Sequence, residues 1–274
     1  MSASLTVQFG GNAVSFRTDH PDLFKTLQAH FKSCLAQSGH LVAEYHLTAL
    51  TGTEFCVAVD GGVLIPRLEF GQVLQFLIQD ALTRLNGACL SGPVFHAAAL
   101  ADARGGVILC GQSGSGKSSL AAWLLAKGYR YLSDEVITCA EDGGQISGFA
   151  RSLVLKKGSA FIWQHFLGVN AREGLLHFPD GSAWIDPLLL NRDGFYPQAA
   201  PRLLLFPRYA PEAGFRVTKL TPAEALFRLL QTLVNARNLP DSGLGSAARL
   251  ARQVSAYSLE YSNLETATAW IQQA

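Results

Sequence analysis

Charge is scarce in this sequence. Lysine and arginine number 22 and aspartate and glutamate 21, together 16% of 274 residues. Their near balance, a formal net charge of +1, excludes a strongly basic nucleic-acid binder and an acidic tail. Long apolar runs are missing too. The most apolar stretch, 73–82, is interrupted by Gln75, Gln79 and Asp80. No run approaches the ~20 apolar residues that cross a bilayer, so no membrane partner is expected. Residues 1–11 lack a basic segment followed by an apolar core, and no secretory signal is expected. Cys34, Cys56, Cys89, Cys110 and Cys139 include no CxxC pair. Their odd number and wide spacing argue against a disulfide framework and for thiols in a reducing cytoplasm. Internal repeats and low-complexity runs are also absent. What the chain has is apolar substance, 49% of its residues. That excludes disorder and suffices for one large or two modest domains.

Periodicity splits the chain into three stretches, 5–90, 93–158 and 201–274, with 161–200 between the last two; the expected domains are a smaller α+β region, 1–90, and a second domain, 91–274. In the first, 5–9 and 13–16 read as strands around Gly10-Gly11-Asn12, and 24–35 as a helix with Phe24, Leu27, Phe31 and Leu35 on one face. Strands are expected over 40–49 and 55–65, the latter interrupted at Asp60-Gly61-Gly62, and a helix over 70–85. In the second, 94–100 and 106–110 read as strands joined by a turn at 102–105, followed by a helix over 119–126 and a strand over 129–139. Residues 161–200 read as a mixed, loop-rich segment able to cover a site. A continuous apolar strand at 203–206, helices over 222–235 and 243–257, a short strand at 257–261 and a closing helix complete the reading.

The sharpest signal is Gly111-Gln112-Ser113-Gly114-Ser115-Gly116-Lys117-Ser118, which fits G-x-x-x-x-G-K-[ST] without a mismatch. Ordinary residue frequencies produce that pattern by accident in roughly one chain in a hundred of this length. Here a buried-strand run enters it and a helix-forming run, opening at Ser119, leaves it, which is the context the motif demands. Glycines let the backbone curl so that N–H groups point at phosphate oxygens, and the helix N-terminus adds partial positive charge. Lys117 supplies a cation to the terminal phosphates, and the Ser118 hydroxyl is the expected Mg²⁺ ligand.

Seventeen residues after Lys117 comes Asp134-Glu135, inside an apolar strand run. Acids there are costly unless paired or metal-bound. Neighbouring strand residues face opposite ways, so one acid alone faces the loop unless the strand ends or bulges here. Asp134 is the favoured one, as general base or Mg²⁺ ligand, with Glu135 orienting its neighbours. No LSGGQ-like helix separates loop and acids, which argues against an ABC-type ATPase.

Upstream, His96 lies in the strand run Val94-Phe95-His96-Ala97-Ala98-Ala99-Leu100. A histidine strand, a hairpin, the glycine loop, a helix and Leu132-Ser133-Asp134-Glu135-Val136 together resemble the HPr kinase/phosphorylase family. The closest likeness is to the HPr-kinase-related kinases that include those acting on lasso-peptide precursors. Ala150-Arg151-Ser152-Leu153-Val154-Leu155-Lys156 and Leu205-Phe206-Pro207-Arg208-Tyr209 carry the resemblance further, over about 70–274. It implies an α/β fold like that of phosphoenolpyruvate carboxykinase, a P-loop kinase core on a mixed, largely antiparallel sheet. It implies transfer of the γ-phosphoryl group of ATP, with Mg²⁺, to a hydroxyl, often serine, of a peptide, protein or small molecule. His96 would lie near the transferred phosphate, and Asp134 and Glu135 would match the family's paired acids, with the base open between them. HPr kinases assemble as hexamers, so a homo-oligomer is also implied. The chain departs from the pattern where HPr kinase has a Glu-Ile-Arg-Gly-like segment: 148–153 offers Arg151 but no Glu. Arg151, Lys156 and Arg208 are candidates for phosphate or acidic-substrate contact. A nucleotide-binding accessory module with little transfer, and a plain nucleotide hydrolase, are the competing readings.

Overall fold

The computed structural model describes residues 2–36, 38–168, 174–178 and 180–274. The described residues form a mixed α/β structure with three sheets, and the chain divides into two compact units, Met1–Leu90 and Ser91–Ala274.

In the first unit β1 (Ala3–Phe9) and β2 (Asn12–Thr18) form a hairpin closed by Gly10-Gly11. Helix α1 (Pro21–His30) crosses to β3 (His40–Ala49), which pairs parallel with β2; β4 (Glu54–Val59) and β5 (Gly62–Glu69) follow antiparallel, and α2 (Phe70–Ala88) closes the unit. The sheet order is β1-β2-β3-β4-β5. Inward residues such as Val7, Phe16, Tyr45 and Val57 alternate along the strands and are buried, as are Leu27 of α1 and Leu74 and Leu77 of α2, the helices packed on the sheet, as a half-buried sheet requires. The helix expected over 24–35 instead begins at Pro21. Pro fits the first helical position, and the His20 ring accepts from the Leu23 amide ahead of it. The stripe facing inward is therefore Leu23, Leu27 and His30, and Leu35 lies 39% exposed beyond the helix.

The second unit opens with β6 (Val94–Asp102) and β7 (Gly105–Cys110), an antiparallel hairpin, and α3 (Lys117–Ala126). There follow β8 (Arg130–Ser133), β9 (Val136–Cys139), β10 (Ile146–Gly148) and β11 (Leu153–Leu155). Next come α4 (Ala160–Leu167), β12 (Leu175–His177), β13 (Ala183–Ile185), α5 (Pro187–Leu190) and β14 (Gln198–Ala199). The chain ends with β15 (Pro201–Tyr209), β16 (Arg216–Lys219), α6 (Pro222–Leu230), α7 (Leu244–Gln253), β17 (Ser255–Tyr261) and α8 (Leu264–Gln273). The main sheet runs β14-β10-β9-β6-β7-β15-β17-β16, with β8 also on β6. Strands β7, β15 and β17 are mutually parallel and the other pairings antiparallel. Strands β11, β13 and β12 make a separate antiparallel sheet.

Helices cover both faces of the main sheet. Leu100, Val107, Leu109 and Leu205 pack with α3 and α8, while Ala99, Ile108, Cys110 and Leu204 pack with α6 and α7. Burial on both sides explains why β7 and β15 read as unbroken apolar runs rather than alternating ones. Each such Leu or Val side chain contributes about 1.5–3 kcal/mol when removed from water.

Three expectations change in this unit. The strand expected over 129–139 is two strands: β6 pairs with β9 at Val94–His96 and with β8 around Ala99–Ala101. The helix expected over 222–235 stops at Leu230, because the next residues hydrogen-bond to β6, His96 N to Thr232 O (2.6 Å) and Val234 N to Val94 O (2.8 Å). The helix expected over 243–257 gives way at Ser255 to β17. Residues 161–200, expected to be mixed and loop-rich, hold the short elements α4, β12, β13, α5 and β14 between loops; the part at 169–173 and 179 lies outside the described residues. Strand β16, a polar Arg-Val-Thr-Lys edge, had no periodic signal to announce it. No disulfide joins cysteines among the described residues, and no helix among them is long and apolar enough to cross a membrane.

Candidate functional site

The glycine loop turns from the C-terminal end of β7 into α3. Gly114 and Gly116 have φ of 86° and 94°, a region that L side chains enter only with strain. A Cβ on Gly116 would also stand 2.5 Å from the Tyr261 hydroxyl and 3.1 Å from Tyr209 Cβ. These tyrosines, at the ends of β17 and β15, form the loop's floor: the Tyr261 hydroxyl donates to Gly116 O (3.2 Å) and the Tyr209 amide to Ser115 O (3.0 Å). The α3 ladder starts with Leu120 N on Gly116 O, leaving the Lys117, Ser118 and Ser119 amides ahead of it, as at any helix start. The Ser115 hydroxyl is buried without a partner among the described residues. Gln112 and Ser113 are exposed and Ser118 is half-buried.

Lys117 is buried, and its ammonium donates to Gly111 O (2.6 Å) and Gln112 O (3.0 Å). Burial pushes its pKa down, against the upward pull of Cys110, Glu135 and Asp134. The loop is thus a curled backbone with a cation beneath it and helix amides at its end, an arrangement that fits polyphosphate.

The acid pair sits in the break between β8 and β9. Ser133 makes the break: its hydroxyl accepts from the Glu135 amide (3.1 Å) and the Val136 amide (3.2 Å) and donates to Phe149 O (3.1 Å). A hydroxyl competing for backbone amides in this way turns the chain out of its ladder. Both acids then reach Arg151, at 3.8 Å from Asp134 and 2.8 Å from Glu135. The structure thereby escapes the one-acid rule of a regular strand.

The two acids are not equivalent. Asp134 is 2% exposed; its Oδ1 accepts from the Tyr131 hydroxyl (2.7 Å) and its Oδ2 from the Val154 amide (3.2 Å). Burial raises its pKa, opposed by the Arg151 charge. Glu135 has a side chain 29% exposed and stands 3.5 Å from His96 Nδ1. Burial lowers the His96 pKa, with the Glu135 charge opposing and the Lys117 charge assisting. Arg151, 4% exposed, also donates to Ser152 O (2.8 Å); burial disfavours its charge, but Asp134 and Glu135 raise its pKa on balance. The Asp134 carboxylate, expected from the sequence to serve the phosphates, is enclosed, with each oxygen accepting one of these hydrogen bonds.

Two further residues touch the loop. Lys156 Nζ donates to the Ser113 hydroxyl (3.1 Å), and the Ser119 and Ser159 hydroxyls share a hydrogen bond (2.6 Å). Arg208 instead points to Glu260 (3.2 Å) with its side chain 74% exposed. Tyr131, Ser133, Ser159 and Tyr261 were not singled out from the sequence. Only Tyr131 and Ser133, two positions apart and just ahead of the acids, left a local signal.

Ser118 offers an oxygen suited to Mg²⁺ shared with phosphates. Asp134 is a carboxylate that keeps lone pairs beyond its two hydrogen bonds, though it is enclosed; the described residues contain no cluster of three or more His, Cys, Asp or Glu able to hold a metal.

No family model matches the sequence, and no curated protein matches it. Among solved structures, the HPr(Ser) kinase/phosphatase from Coxiella burnetii is similar at a TM-score of 0.34 and 12% identity, over 66% of this chain and 94% of that one. A likeness this distant does not speak to activity.

Proposed function

We propose that the chain is a nucleotide-dependent kinase that transfers the γ-phosphoryl group of ATP to a hydroxyl, serine above all, of a peptide, protein or small molecule. The observation that carries this reading is the phosphate loop with Lys117 beneath it, set within electrostatic reach of the His96–Glu135–Arg151 network. Phosphoryl transfer asks a protein mainly to position groups and neutralise charge, and these residues are equipped for both.

The loop amides from Gly111 to Ser119 and the Lys117 ammonium hold the phosphates. Mg²⁺, when bound with the nucleotide, would offset phosphate charge, with Ser118 as its protein oxygen. Glu135 accepts the proton of the incoming hydroxyl, since it is the acid with an open face. Arg151 and buried Asp134 position Glu135, and His96, whose pKa burial lowers, stands beside Glu135.

Titration of ADP and ATP, with and without Mg²⁺, tests the reading. Mg²⁺-dependent binding by the wild type, lost in a folded Lys117→Ala variant, is expected. Acceptor-dependent ATP consumption, screened first with serine-bearing peptides, is expected next. Absence of nucleotide binding by the wild type would overturn the proposal. A second reading, a nucleotide-binding module with little transfer, draws on the enclosure of Asp134 and the lack of a Glu in 148–153. Tight binding without any consumption would select it.

A further inference from the structure

One cation near the loop has no part in the motif. Lys156 follows β11, the strand whose Val154 amide is fixed on Asp134. Three residues on, Ser159 is tied to Ser119 at the start of α3. The segment between is therefore anchored at one end to the acid pair and at the other to the helix that leaves the loop. In the middle Lys156, an exposed side chain, reaches back 43 residues to place its ammonium on the Ser113 hydroxyl.

The location is informative. Lys117 reaches back along its own loop to Gly111 and Gln112, and in this motif that lysine serves the β- and γ-phosphates. The arm of the loop formed by 111–113 is therefore the arm beside the terminal phosphates. Lys156 is held on the next residue of that same arm, and its charge is felt at Lys117. Two ammonium groups thus converge on one short stretch of chain. Among the described residues no acid pairs with the second: its partner is a neutral hydroxyl, a weak hold for a full charge.

We infer that Lys156 is a second phosphate-binding cation, resting on Ser113 and transferring to the terminal phosphate of a nucleoside triphosphate when one enters the loop. The inference rests on the nucleotide reading above and adds a residue that distinguishes triphosphate from diphosphate. A charge-assisted contact made only with the γ-phosphate adds affinity for ATP and little for ADP.

The test is calorimetric titration of Mg²⁺ with ADP and with a non-hydrolysable ATP analogue, on wild type, Lys156→Gln and Lys156→Arg. Glutamine can still donate to Ser113 but carries no charge; arginine keeps the charge. Lys156→Gln is expected to weaken the analogue about tenfold while leaving ADP within about twofold, and Lys156→Arg to retain most of the preference. Equal weakening of both nucleotides, or unchanged affinity for both, would overturn the inference while leaving the nucleotide site standing. Failure of the wild type to bind either nucleotide would overturn the site and the inference together. Lys156 is exposed, so its variants are expected to fold, which circular dichroism checks.

Discussion

At the scale of residues, two adjacent acids differ because one hydroxyl bends the chain between their strands. Asp134 is enclosed by Tyr131, Val154 and Arg151, whereas Glu135 shares Arg151 but keeps an open face toward His96. Their variants should therefore fail in different ways. Glu135→Gln is expected to leave ADP affinity nearly unchanged and slow transfer by about a hundredfold or more, in a single-turnover assay. Asp134→Asn breaks a buried pairing and is expected to cost roughly 3 kcal/mol in urea denaturation. If Asp134→Asn abolished transfer with full stability and Glu135→Gln did not, the base would be Asp134. His96 adds a pH dependence. Its pKa is lowered by burial, so below about pH 6.5, the value of an unfolded histidine, the unfolded chain binds more protons there than the native one. Stability then falls as pH drops through that window and is recovered as pH rises. His96→Gln should flatten this part of the Tm-against-pH curve; an identical slope in the variant would show that His96 carries no such linkage.

At the scale of elements, motif and neighbours were legible to different degrees. The loop, its entering strand and its helix follow from local spacing, since each is fixed by residues within ten positions of the next. The break between β8 and β9 is not visible that way. The run Tyr-Leu-Ser-Asp-Glu-Val-Ile-Thr-Cys is apolar enough for one strand, and only the Phe149 carbonyl, sixteen residues away, completes the Ser133 hydrogen bonds that divide it. Ser133→Ala is accordingly expected to destabilise by about 1–3 kcal/mol, because two amides and a carbonyl in a buried turn lose their partner. A urea midpoint equal to wild type would refute that account. Helix ends were misplaced for a similar reason. Residues after Leu230 have ordinary helical propensity, but hydrogen bonds to β6 pull them out, and tertiary partners outweigh propensities of a few tenths of a kcal/mol.

At the scale of the molecule, Ser91–Ala274 has cores on both faces of its main sheet. The loop, the acid pair, His96, Arg151 and Lys156 all belong to that unit. A fragment of 91–274 is expected to unfold cooperatively and to bind ADP as the full chain does. Non-cooperative melting, or loss of binding with cooperative melting, would show that 1–90 is required for the fold or for the site respectively.

The sequence by itself determined the phosphate loop, the apolar strands that carry it and the low charge of the whole, because each depends on residue type and short-range spacing. Only the tertiary structure decided which acid is enclosed, where strand 129–139 breaks, and that Lys156 comes to rest on Ser113. Those outcomes depend on partners 16, 20 and 43 residues away. A hydrogen bond or ion pair is set by distance in space, and the spacing of residues along a chain does not encode it until the sheet has brought them together.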